Sequence, residues 1–595
     1  MSAVAEQRKL VQGGAFLIDD LTPDEIFTPE DFNEEHRMIA ETTRQFMDNE
    51  VSPRIDELEK HDWKLSRELI KKAADLGLIG ANIPEEYGGL GLDQTSGALI
   101  GENIGRSASF ATTLGAESGI GLLPLVYFGT DAAKEKYLAK IAAGELITAY
   151  ALTESGSGSD AMAAKATARL SADETHYVIN GEKMWITNGG FADVFVVFAK
   201  VDGDKFSAFM VERQPGLTSG AEEHKMGIKG SSTTALVLSD VKTPVENLLG
   251  EVGKGHKIAF NILNIGRFKL GAMCIGGMKL MAHESIRYAN ERHQFGKSIS
   301  SFGAIKAKLA EMAIRTWVGE AMVYRTLGMI EAGIGAVADT KNMDARLKAI
   351  EEYAAECSII KVALSEYCDF VADEMVQIYG GYGYSADYPA ERAYRDSRIN
   401  RIFEGTNEIN RLLIPGRLMK SALSGQLALL PAAQALMDEI LSPQMSAFDD
   451  DETVLAAEQK LAKNAKKVAL MTLGTAAQKY MLKLADQQEI LMGVADIIMD
   501  TYAMESAILR AQKQAAAQGE EAAARYIDMT RVFCNDAVER IEARAKNTLA
   551  AMAEGDELRT LLAALRRFTK LTPMNTVVAR QRIAKVMIEA NKYVY

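Results

Sequence analysis

Between Thr148 and Val252 the sequence changes period, and that block limits what the chain around it can be. His176 to Asn180 is a short β-like run. Asn180-Gly181 is a strong hairpin-turn pair, and Lys183 to Thr187 continues beyond it. Asn188-Gly189-Gly190 turns the chain again, and Val194 to Val201 and Phe206 to Val211 are apolar runs rich in Val and Phe. Thr234 to Leu238 reads as a further strand. On either side the spacing is helical. Glu34 to Val51 is stopped by Pro53, and Ser66 to Leu76 is closed by Gly77. Helical spacing continues over Gly97 to Phe128, Asp131 to Ala143, Gly255 to Glu291, Ser301 to Ala332 and Asp344 to Val376. Pro415-Gly416, Pro431, Pro443 and the acid run Asp449 to Glu452 mark a linker, after which the chain is Ala/Leu/Met/Lys-rich and helical. The fold class is mainly α with a central β domain (α+β). The expected units are 1–147 helical, 148–254 β, 255–420 a helical bundle, 421–452 a linker and 453–595 a helical extension.

A β block inside a helical chain is not a doubly wound sheet. The chain also has no G-x-G-x-x-G between strand and helix and no G-x-x-x-x-G-K-[ST], so a nucleotide cofactor would need another scheme. At 595 residues the chain is too long for one core. A formal net charge of -14 argues against a nucleic-acid partner. Cys274, Cys357, Cys368 and Cys534 form no C-x-x-C, which fits a reduced, cytoplasmic compartment. The seven histidines show no ligand spacing, so no metal is expected. Met1 to Asp20 reads as neither a signal peptide nor a transit peptide. The longest apolar run, near Ile258 to Met281, is broken by Arg267 and Lys269, so no membrane span is expected.

Arg401 to Arg411, R-I-F-E-G-T-N-E-I-N-R, reads as a loop entering a helix. Thr406 is a plausible N-cap, and Glu408 suits the first turn. Glu404 is either a solvated loop acid or a carboxylate held against Ile402 and Phe403. In the second case desolvation raises its proton affinity, as a general base needs. Three more stretches bear on it. Tyr150 to Asp160 is a strand end running into a Gly/Ser loop, suited to a polar ring edge or to a plain domain junction. Met184 to Gly190 sets Trp185 and Thr187 on a strand, for a flat ring or for the core. Arg292 in Glu291 to Gly296 either forks a pyrophosphate or complements a helix dipole.

Together Tyr150–Asp160, Trp185–Gly190, Arg292–Gly296, Gln377–Gly381 and Arg401–Arg411 resemble the acyl-CoA dehydrogenase family, in family order from about Phe32 to Arg417. The extension after Thr453 makes the chain most similar to the very-long-chain branch. The resemblance implies an N-terminal helical domain, a middle β domain, a C-terminal four-helix-bundle domain and the extra helical unit. It implies FAD as cofactor and an acyl-CoA thioester as substrate. Glu404 would remove the α-proton while the β-hydrogen leaves to flavin, giving a trans-2-enoyl-CoA in fatty acid β-oxidation. The FAD contacts implied are Tyr150, Leu152, Thr153, Ser159, Trp185, Ile186, Thr187, Arg292, Gln294, Phe295, Gln377, Gly380, Gly381, Thr406, Asn407 and Glu408. Arg292, Gln294 and the Gln377–Gly381 turn would reach the FAD of a partner subunit. Ser159, Asn264, Arg267, Phe403 and Gly405 would meet substrate. Ser155, Asn264 and Gly303 depart from residues common in the family at those places.

Small residues Gly115 and Ala116, in the stretch Thr112 to Ala116, leave room for a long or very long chain, or else simply permit close helix packing. The implied partners are an electron-transfer flavoprotein and further copies of the chain, a dimer before a tetramer. Lys460 to Lys483 carries six lysines and no acid, which suits either peripheral contact with an anionic membrane or packing within the extension. An oxygen-using acyl-CoA oxidase and a non-catalytic acyl-CoA-binding scaffold are the alternatives.

Overall fold

The computed structural model describes residues 10–339, 342–441 and 453–595. The first unit is helical. Asn33 caps the helix Glu34–Phe46, its side chain accepting from the His36 amide at 2.8 Å. Asp62 caps Trp63–Asp75, whose exit is the left-handed Gly77. The Gly97 to Phe128 region is not one helix. It is Gln94–Ile104, Ala108–Gly115, a π-turn Ala116–Gly121 and Leu123–Phe128.

The middle unit is an eight-stranded mixed sheet. Its strands are β1 (Thr148–Ala151), β2 (Thr167–Leu170), β3 (His176–Thr187), β4 (Val194–Val201), β5 (Lys205–Glu212), β6 (Leu217–Glu222), β7 (Thr233–Pro244) and β8 (Leu248–Leu249). The order is β6-β7-β3-β2-β4-β5-β8, with β1 parallel to β4 beside β2. The nearly continuous apolar run of β4 is buried on both faces, as a central strand must be. The expected hairpin at Asn180-Gly181 does not form. The chain runs straight through as β3, with a bulge there opposite β7. Asn180 and Asp240 brace the bulge through side-chain bonds of 2.8 and 3.1 Å, so the turn chemistry serves a strand irregularity instead.

The helix Gly255–Glu291 is the spine of the bundle, packed by Gly303–Gly335, Ala354–Tyr379 and the first helical unit. Contrary to the sequence reading, it is long and apolar enough to cross a membrane, but its most apolar window is 72% buried inside the protein. Arg267 and Lys269 do not break it, because both are buried within the fold. The expected helix from Asp344 divides at Tyr353 into Met343–Glu352 and Ala354–Tyr379. Pro415 ends nothing: the helix Asn407–Leu423 runs through it. Within the expected linker the chain forms the helix Leu429–Leu441, while 442–452 lie outside the described residues.

The extension is helical throughout, led by Ala456–Tyr480, Gln488–Gln518 and Glu520–Met552. Gln488–Gln518 packs on both Gly303–Gly335 and Asn407–Leu423. The lysine-rich stretch does not offer a membrane face along its helix. Lys466 is buried between Asp20 and Glu505, Lys463 pairs with Asp20, Lys467 pairs with Glu439, and Val468, Leu470, Met471 and Leu473 are core. Those helix side chains cover the extension's own core, while Met481 and Leu482 at the end of the stretch are exposed.

Candidate active site

Glu404 stands at a backbone corner. Its φ is 57° and that of Gly405 is 84°, two successive left-handed residues. A side chain in that region costs about 1–2 kcal/mol, so the surrounding fold must hold it there. It does so from the next residues. The Thr406 hydroxyl accepts from the Ile409 amide at 3.3 Å, starting the helix. Asn410 Nδ2 donates to the Gly405 carbonyl at 2.8 Å and the Thr406 carbonyl at 3.1 Å.

The corner turns the carboxylate onto the Gly255–Glu291 helix. A Cβ added at Gly266 would lie 2.7 Å from Glu404 Oε2 and 3.0 Å from its Cδ. Oε2 is sealed from solvent and has no hydrogen-bond partner. Burial pushes the Glu404 carboxyl up to about 7, against the opposing pull of Arg267 and, more weakly, Lys361. Arg267 is itself buried, donating to Asn264 Oδ1 at 2.8 Å, with its Nε unpaired. Lys361 donates to Asn407 Oδ1 at 2.7 Å beneath the loop. Gly266→Ala is expected to displace the carboxylate and lower kcat about 10²-fold, the scale of a 1 Å misplacement. Rapid-mixing flavin reduction at unchanged flavin content checks it.

Glu404 and Phe403 face a mostly apolar cavity of about 300 Å³. Thr187 enters from the end of β3, Ile262, Gly266 and Met273 from the spine helix, and Thr112, Gly115 and Ala116 from the first unit. Of the residues expected to contact cofactor, Thr187 lines this cavity. Trp185 is 60% exposed at a φ of 57°, an aromatic face left uncovered by its own chain. Tyr150 carries an orphaned buried hydroxyl, and the charge of Glu404 adds to its raised proton affinity. Leu152 and Ile186 are buried in the sheet, and the Thr153 carbonyl accepts from the Met184 amide at 2.9 Å, so these two strands stay in register. Ser159 is exposed on its Gly/Ser loop, and Glu408 is exposed in the first helical turn.

Asn407, expected to contact cofactor, has its side chain turned inward. Its side chain is spent inside the protein on Lys361, Ser365 and Glu366, and it supports the loop rather than facing a ligand. Arg292, Gln294, Gly380 and Gly381 form a second cavity, apart from the first, with Gln377 exposed nearby. Phe295 beside it is 93% exposed, and a Cβ at Gly380 or Gly381 would meet nothing. Sequence reasoning missed Gly266, Lys361 and Lys269. The available signal was a pair of charges, Arg267 and Lys269, set in an otherwise apolar helix.

The residues present fit FAD: Thr187 lines the carboxylate cavity, Trp185 two residues before it is an uncovered aromatic, and an Arg/Gly cavity suits a polyphosphate. Comparison with known proteins agrees. Residues 33–145, 149–241 and 253–419 match the N-terminal, middle and C-terminal domains of acyl-CoA dehydrogenase, and 464–567 match a further acyl-CoA dehydrogenase C-terminal domain. The chain is 53% identical over 585 residues to a probable acyl-CoA dehydrogenase of Bacillus subtilis, covering 98% of each. It is 34% identical to the mitochondrial very long-chain specific acyl-CoA dehydrogenase of Rattus norvegicus, over 92% of this chain and 85% of that one. The crystal structure of an acyl-CoA dehydrogenase complexed with FAD from Bacillus anthracis superposes with a TM-score of 0.97 at 52% identity, covering 98% of this chain and 100% of that one. A buried base on an apolar cavity, an uncovered aromatic for a flavin and these matches lead to one conclusion: the chain belongs to the acyl-CoA dehydrogenase family, FAD-dependent oxidoreductases.

Proposed function

We propose that the protein dehydrogenates long-chain or very-long-chain acyl-CoA to trans-2-enoyl-CoA, in β-oxidation, and passes the electrons to an electron-transfer flavoprotein. The observation that carries the reading is Glu404: a carboxylate oxygen sealed from water, without a partner, on the wall of an apolar cavity. Such a group is basic enough to take an α-proton and is shielded from competing water. Bound FAD supplies the acceptor for the β-hydrogen. Trp185 covers its ring, and Thr187 and Thr406 position it beside the cavity. Phe403 and Gly405 line the thioester end, and Arg267 and Asn264, bonded to each other at 2.8 Å, serve the substrate beside them.

Chain length follows from the small residues Gly115, Ala116 and Gly119 on the cavity wall. A Cβ at Gly119 would meet nothing within 4 Å, so the wall there is open. Arg292, Gln294, Gln377, Gly380 and Gly381 serve FAD across a contact with a second copy of the chain, which would also cover Phe295. The test is an anaerobic titration of the purified flavoprotein with acyl-CoAs from butyryl to stearoyl. Flavin bleaching that strengthens with chain length is the expected result. Bleaching by butyryl-CoA alone would sink the length assignment, and fast peroxide formation in air would move the reading to an oxidase.

A further inference from the structure

Two of the four buried lysines among the described residues, Lys183 and Lys466, meet carboxylates, as does the partly exposed Lys279. Lys183 meets Glu154 at 2.7 Å, Lys466 meets Glu505 at 2.5 Å, and Lys279 bridges Glu102 and Glu320. Lys361, held by Asn407, still feels the charge of Glu404. Lys269 has no such partner. It is 7% exposed, and among the described residues its ammonium makes one hydrogen bond, to the neutral Asn82 Oδ1 at 3.2 Å. An ammonium has three protons to donate, so two find no acceptor in the chain. Burial alone pulls the amine down to about 8.

Its place is specific. Ile262, Gly266, Lys269 and Met273 all line the Glu404 cavity, and their spacing of three or four puts them on one helix face. Gly266 is the residue pressed against the Glu404 carboxylate. Lys269 is three residues on, a rise of about 4.5 Å along the helix. A chain entering past Glu404 therefore runs along a wall that Lys269 lines. An unpaired ammonium against methylenes is costly, and the same ammonium against an oxygen is satisfied.

We propose that Lys269 forms a polar subsite in the acyl cavity and selects acyl-CoAs whose chain carries a hydrogen-bond-accepting oxygen beyond the thioester. This rests on the acyl-CoA reading above and adds to it the substrate class. The oxygen belongs either to a hydroxyl within the chain or to a carboxylate at its end, and one substrate series separates the two. Hexadecanoyl-CoA is compared with derivatives bearing a single hydroxyl at successive carbons beyond the γ-carbon, and with the ω-carboxylate, using the FAD-loaded wild type and Lys269→Met.

In the wild type one hydroxylated position, or the ω-carboxylate, is expected to have the highest kcat/KM. Lys269→Met should lower the ratio of that substrate to plain hexadecanoyl-CoA at least tenfold, by slowing the first and quickening the second. Lys269→Arg should retain part of the preference. Should Lys269→Met fail to bind FAD, Lys269→Gln takes its place, and bleaching titrations of the wild type alone still rank the series. Equal ratios across the series in wild type and variant would overturn the inference while leaving the dehydrogenase reading intact. Failure of the wild type to turn over any member would remove both.

Discussion

Glu404→Gln is expected to slow acyl-CoA-dependent flavin reduction by roughly 10⁴-fold, the upper end of what a general base contributes. Gln keeps the shape of the side chain and the left-handed corner, so FAD content should match the wild type. What it removes is the carboxylate oxygen Oε2, buried on the cavity wall with no competing donor among the described residues. The same assignment fixes the pH dependence. Burial raises the Glu404 carboxyl to about 7, so the working, ionised form fills as pH rises through that value. The kcat/KM of the wild type should therefore fall tenfold per pH unit well below about 7, with an acid limb that Glu404→Gln lacks. Wild-type activity constant down to the ordinary carboxylate range would contradict the burial argument.

Glu505→Ala is the second large effect, and it acts on the joint between the extension and the bundle. Glu505 accepts from Arg325 at 2.6 Å and from Lys466 at 2.5 Å, and all three side chains are buried. Removing the shared acid leaves buried Arg325 without its paired carboxylate and Lys466 with Asp20 alone, which costs about 3–5 kcal/mol. For a unit of this size that is a fall in melting temperature of roughly 6–20 °C. Replacing all three residues by Glu505→Leu, Arg325→Met and Lys466→Met should restore most of the loss, because the cost lies in the unpaired charges. Differential scanning calorimetry of the single and triple variants decides it; a triple variant as unstable as the single one would refute the charge explanation. The joint reaches the active site too, since Asp496 of the same helix takes Arg411 Nε at 2.7 Å, one turn along from Asn407.

Much of this was legible in the chain. The spine helix Gly255–Glu291 and the strand Val194–Val201 end where their apolar spacing ends. Thr406 is the N-cap that its position before an Asn-Glu helix start announces. Local errors have local causes. Asn180-Gly181 is a turn pair in isolation, but β7 supplies a partner along the whole of β3, and pairing outweighed the turn. Pro415 lies inside a helix because the buried face of Asn407–Leu423 continues past it, with Ile414 and Leu418 in the core. The lysine stretch misled because charge was counted without its partners: Asp20 and Glu505 lie far away in sequence and close in space.

The sequence by itself determined the order of helical and β units, the caps, and which carboxylate stands at the loop before Asn407. These depend on residues near one another along the chain, where period, turn chemistry and capping act. Only the tertiary structure decided that Glu404 is a buried carboxylate with a raised proton affinity rather than a solvated acid. Its raised proton affinity comes from burial against the Gly266 face of a helix well over a hundred residues earlier, which outweighs the opposing pull of Arg267 and Lys361. The same holds for Lys269, which reads as a helix interruption in one dimension and as an unpaired cation on the cavity wall in three. Desolvation is a property of what surrounds a group, and distant segments supply the surroundings.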